Sequence, residues 1–102
     1  MDADRVFAAL ASGPRRRMLG LLAQGERTTS ELAARFGVSA PAVSRHLSVL
    51  ESAGLVASRR EGQRVLYALV RDTLMEALSA LATELSEPAP EPPRAKPRRE
   101  AI

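Results

Sequence analysis

Between Thr28 and Leu50 the chain carries two helix starts with one enforced stop between them, and that punctuation constrains the fold more than any other feature. In Thr28-Thr29-Ser30-Glu31 the Thr28 hydroxyl and the Glu31 carboxylate are spaced to satisfy each other's free backbone N–H groups, a capping box that opens a helix. Leu32 and Phe36 then share the inner face of that helix, and Gly37 supplies the left-handed conformation that ends it. Ser39 is placed to cap a second helix, Pro41 fits its first turn, and Val43, Leu47 and Leu50 make its buried stripe before Ala53-Gly54 stops it. Two short helices joined by a tight glycine turn form a helix-turn-helix.

Three further helices and a hairpin complete the pattern. A first helix is predicted from about Ala3 to Ala11, with Val6, Phe7 and Leu10 on one stripe. Ser12 then caps a second that tolerates Pro14 in its first turn, carries Met18, Leu19, Leu21 and Leu22, and ends near Gln24-Gly25. After Gly54 the period changes: Leu55 to Arg60 and Arg64 to Val70 read as strands joined through Glu61-Gly62-Gln63. A last helix from about Asp72 to Leu85 places Leu74, Leu78, Leu81 and Leu85 on one face. The expected fold is mainly α, with five helices and a two-stranded antiparallel wing, over residues 1–86. Residues 87–102 hold five of the seven prolines and almost nothing to bury, so a disordered Pro/Arg-rich tail is expected there.

Composition excludes several functions. Without cysteine the chain can build no disulfide, thiolate metal site or thiol switch, and with His46 as its one histidine it can build no multi-histidine metal site. No metal and no cofactor are expected. No nucleophile-base pair, carboxylate dyad or glycine-rich phosphate loop is present, which argues against an enzyme. No apolar run reaches membrane-spanning length and the first residues lack a signal-peptide core, so a cytoplasmic protein without membrane contact is expected. The net charge of +3 is compatible with nucleic acid as a partner, but placement matters more than the sum.

Placement points to double-stranded DNA. A helix-turn-helix followed by a basic hairpin is the order in which one helix enters the major groove and the wing tracks the neighbouring backbone. With Val43, Leu47 and Leu50 turned inward, Ser39, Ala40, Pro41, Ser44, Arg45 and Ser48 are left outside: short side chains around one long arginine. Such a surface can sink into a groove, where hydroxyls meet base edges or phosphates and Arg45 reaches a guanine edge or a phosphate. His46, at the flank of the core stripe, suits either packing or a DNA contact. On the hairpin, Arg59, Arg60, Gln63 and Arg64 surround Gly62 as candidate phosphate contacts, although basic hairpin tips are also ordinary surface. Arg15, Arg16 and Arg17 point about 100° apart on a helix, so ion pairing or backbone capping suits them better than one binding patch.

The strings LASGPRRRMLGLL, TTSELAARFGVSAPAVSRHLSVLESAGLV and RREGQRVLYAL resemble the ArsR/SmtB family of winged-helix repressors over about residues 3–85. The resemblance implies a symmetric homodimer built from the first and last helices, which here would bury Val6, Leu10, Leu74, Leu78, Leu81 and Leu85. It also implies two recognition helices in successive major grooves of an inverted-repeat operator, about 34–36 Å apart, and repression by blocking polymerase. The preference for Arg over Lys suits a GC-rich bacterial genome.

Departures from the family pattern matter as much. Arsenic, cadmium and lead sensors of the family carry cysteines in the third helix, where this chain has Leu32-Ala33-Ala34-Arg35. Zinc and nickel sensors carry Asp and His ligands in the last helix, where this chain has Asp72, Glu76, Ser79 and Thr83, a poor set for a soft or borderline metal. The Asp-Pro that often starts the second helix is here Ser12-Gly13. The expectation is a member without metal control, answering to a small organic ligand, a protein partner or its own concentration. The alternative is a winged-helix interaction module without specific DNA binding.

Overall fold

The computed structural model describes residues 1–86 and Pro88. The elements run α1 (Ala3–Leu10), α2 (Gly13–Leu22), β1 (Arg27–Thr28), α3 (Thr29–Phe36), α4 (Ala40–Ser52), β2 (Val56–Glu61), β3 (Arg64–Leu69) and α5 (Arg71–Ser86). The tail expected over 87–102 lies, apart from the exposed Pro88, outside the described residues.

Local chemistry sets the helix boundaries. Ser12, Thr28 and Ser39 each cap the helix that follows, accepting from the backbone N–H of Arg15, Glu31 and Ala42 respectively. At Thr28 the box closes both ways: the Glu31 N–H donates to Oγ1 at 3.1 Å and the Thr28 N–H donates to the Glu31 carboxylate at 2.8 Å. Gly37 ends α3 at φ +66°, ψ +33°, a conformation that a Cβ would strain.

The sheet contains more than the hairpin. β1 adds to β3, with Arg27 opposite Tyr67 and Thr28 opposite Leu66, so the strand order is β1-β3-β2. The hairpin turns on Gly62 and Gln63 alone, since Glu61 still pairs with Arg64; Gly62 takes φ +62° there. This fixes the wing to the start of α3 as well as to the end of α4.

The core is apolar throughout: among the described residues no polar or charged side chain is buried. Val6 and Ala9 of α1, Met18, Leu19 and Leu22 of α2, Leu32 of α3, Val43, Leu47 and Leu50 of α4, and Ala77 of α5 meet around Leu55 and Val56. The stripe Val43-Leu47-Leu50 does lock α4 in place, and it fixes which face of that helix is free.

One correction concerns the outer helices. Val6, expected in a subunit interface, is fully buried in the protomer's own core and has no surface left for a partner. In α5 the one buried residue is Ala77; Leu78, Leu81 and Leu85 are exposed and Leu10 and Leu74 are half-buried, with Met75 also exposed. Ala77 seats the helix close to the core, so the larger side chains beside it stand out into solvent.

Arginines close the helix ends. Arg15 Nε donates to the Ala9 carbonyl at 2.7 Å and Nη2 to Ala8 at 3.3 Å, while Arg16 donates to Leu10 at 2.6 Å. These carbonyls end α1, which has no basic residue in its own last turn, so α2 supplies the capping from outside. Arg71 donates to the Ala23 carbonyl at the end of α2 at 2.7 Å.

Candidate nucleic-acid interface

The free face of α4 follows from its locked one. Ser39, Ala40, Pro41, Ser44, Arg45 and Ser48 are all exposed, and Val49 joins them at 41% exposure. Ser39 is already committed as a cap, its Oγ accepting from the Ala42 N–H at 3.2 Å, which leaves its O–H free to donate outward. Among the described residues Arg45 has no carboxylate partner. The face therefore presents one unpaired cation between two small hydroxyl side chains.

His46 is half-buried and turned away from that face. Its Nδ1 lies 3.5 Å from Arg15 Nη1, so the imidazole accepts from the guanidinium that also caps α1. Arg15 thereby joins α1, α2 and α4. Of the two roles open to His46, packing describes its observed partners. The link to Arg15 is spatial, and nothing within the local sequence announces it.

The hairpin splits its arginines. Successive strand residues point to opposite faces, and across the ladder Arg59 lies opposite Leu66 while Arg60 lies opposite Val65. On the Leu66 face Glu26 receives Arg59 as a fork, Nη2 to Oε1 at 2.7 Å and Nε to Oε2 at 3.1 Å. Arg59 also reaches Glu61 at 3.4 Å, and Arg64 reaches Glu61 at 2.9 Å. Arg60 has no carboxylate partner among the described residues, and Gln63 is exposed at the tip. The expected basic cluster is thus one open arginine and two neutralised ones. Strand alternation would have separated Arg59 from Arg60, but Glu26, far away in sequence, carried no signal.

These pairs have electrostatic signatures. The hydrogen bonds from Arg59 hold the Glu26 carboxyl below its ordinary range, and those from Arg64 and then Arg59 do the same for Glu61. Arg59 is pushed higher still by the Glu26 hydrogen bond. Glu31 is lowered chiefly by the Thr28 backbone N–H it accepts in the capping box. No group of three or more His, Cys, Asp or Glu side chains converges among the described residues, and no helix there is long and apolar enough to cross a membrane.

Known proteins share this arrangement. Residues 12–58 match the family described as bacterial regulatory protein, arsR family. The chain is 33% identical over 76 residues to the transcriptional repressor SdpR of Bacillus subtilis, covering 74% of this chain and 84% of that one. It is 45% identical over 82 residues to a helix-turn-helix-type transcriptional regulator of Mycobacterium tuberculosis, covering 80% and 73%. Among solved structures, the homodimeric winged helix-turn-helix DNA-binding domain of a possible ArsR-family regulator from Mycobacterium bovis superposes with a TM-score of 0.68 at 39% identity, covering 82% and 81%.

Proposed function

The chain belongs to the ArsR family of bacterial regulatory proteins, and from that premise we propose that it is a cytoplasmic repressor that binds an inverted-repeat operator as a homodimer. It is a winged helix-turn-helix transcriptional regulator rather than an enzyme. The observation that carries the DNA-binding proposal is the face of α4: a helix held from behind by Val43, Leu47 and Leu50, with Ser44, Arg45 and Ser48 outward and Arg45 unpaired. Ser39, Ala40 and Pro41 give the groove-entering end of the helix low relief. Arg60 and Gln63 of the wing reach for the flanking phosphates, with Arg64 and Arg59 contributing to the extent that they leave Glu61 and Glu26.

Homodimerisation is supported by the exposed apolar side chains of α5. Leu78, Leu81, Leu85 and Met75 stand in solvent at 41%, 36%, 75% and 56% exposure, and Leu10 and Leu74 extend the patch towards α1. A domain of this size leaves much apolar surface uncovered, and a second copy covers it with its own equivalent. Control by a signal other than a thiolate- or histidine-bound metal follows from the donor set of the chain, which has no cysteine and a single histidine.

The test is a salt series on the protein's own upstream region. Phosphate engagement makes log affinity fall linearly with log salt, and footprinting should show two half-sites about one helical turn apart. Affinity without salt dependence, or no protected region, would favour an interaction module instead. Leu78→Glu should convert the dimer to monomer in sedimentation by placing like charges across the interface; a variant that still sediments as a dimer excludes this α5 face as the seam.

A further inference from the structure

Behind the helix-turn-helix, α2 and α4 flank a partly open pocket of about 140 Å³ that no residue of α5 lines. Pro14 and Met18 of α2 form its floor, Phe36 and Val38 bring the two sides of the Gly37 turn, and Ala42 of α4 makes a wall. The remaining lining is basic: Arg17, an exposed side chain at the rim, and the half-buried His46. Neither the DNA-facing side of α4 nor the apolar face of α5 uses this space. Among the described residues Arg17 has no carboxylate partner.

We infer that this cavity is a binding site for a small monoanionic organic acid, with a body the size of one aromatic ring among Met18, Phe36, Val38 and Ala42 and its carboxylate at Arg17. Size and charge set the ligand class. An apolar protein cavity of about 150 Å³ accommodates benzene, so a space of about 140 Å³ takes a single ring. An unpaired guanidinium at the rim selects a carboxylate by charge-assisted hydrogen bonding. The half-buried His46 imidazole lines the same space.

The experiment uses the full chain, sodium benzoate as the monoanion and benzyl alcohol as its uncharged counterpart. Titration without DNA, followed by backbone amide shifts, should saturate at Phe36, Val38, Ala42 and His46, with benzyl alcohol about tenfold weaker. Arg17→Gln should abolish that preference while leaving benzyl alcohol binding unchanged, and Ala42→Leu, which fills the space, should abolish both. If Ala42→Leu does not fold, Arg17→Gln decides alone. Wild-type shifts that never saturate, or a benzoate preference that survives Arg17→Gln, overturn the site.

Discussion

The recognition helix and the wing hold their arginines in opposite ways. α4 offers a single arginine on its outer face, Arg45, and among the described residues leaves it without a carboxylate partner. The hairpin carries three, yet Glu26 and Glu61 pair with Arg59 and Arg64, and among the described residues only Arg60 stays open. By count the wing is the more basic element; by available charge the two are about equal. The difference lies in geometry: α4 is held by apolar burial, which spares its charges, whereas the thin hairpin adds the Arg59–Glu26 ion pair to its backbone pairing with β1. An arginine that positions an element is not free to bind phosphate without letting go.

The largest effect should come from the helix. Arg45→Ala should cost about 1–3 kcal/mol of operator binding if the guanidinium reads a base edge, and the loss should differ between operator variants. A phosphate contact would instead weaken all DNA sequences uniformly. Unchanged affinity in a gel-shift series would remove Arg45 from the interface and leave the helix no more available charge than the wing.

A smaller effect should separate the wing arginines. Arg60→Ala should reduce the steepness of the salt dependence by about one contact. Arg59→Ala should reduce it by less than half as much, because a guanidinium already neutralised by Glu26 releases no counterion from DNA. Equal changes for the two variants would mean that Arg59 abandons Glu26 for a phosphate on binding, and the distinction between the elements would hold only off DNA.

How much of this was legible beforehand depended on the range of each interaction. Helix starts at Ser12, Thr28 and Ser39 and the stop at Gly37 were legible because a cap and its partner lie within four residues. The outer face of α4 followed from its stripe for the same reason. β1 was not legible, since two residues form a strand only through Tyr67 and Leu66, which lie far along the chain. Val6 was misplaced because periodicity shows that a side chain is buried without showing whether its own protomer or a partner buries it. Ala77 is not marked by the pattern because a small residue adds little to an apolar stripe, although it is the one residue of α5 buried in the core, with Leu74 packed beside it. The Arg59–Glu26 and Arg15–His46 links are both long-range, and each redefined a residue whose role was first argued from its neighbours.

The smallest expected effect is the pH signature of the wing's tie, and it tests the contrast most directly. Arg59 lowers the Glu26 carboxyl in the folded state, so the contribution of the pair is fully present above the ordinary glutamate value of about 4.3 and is lost as pH falls through the lower folded value. Carbon-detected titration should therefore place both Glu26 and Glu61 below that ordinary value. Arg59→Ala should return Glu26 to the ordinary range but leave Glu61 lowered, because Arg64, its foremost partner, remains. Correspondingly, the stability difference between wild type and Glu26→Gln should shrink as pH drops through the Glu26 midpoint. If Glu26 titrates normally in the wild type, the fork does not persist in solution, Arg59 is as free as Arg60, and the wing regains the charge that its sequence advertises.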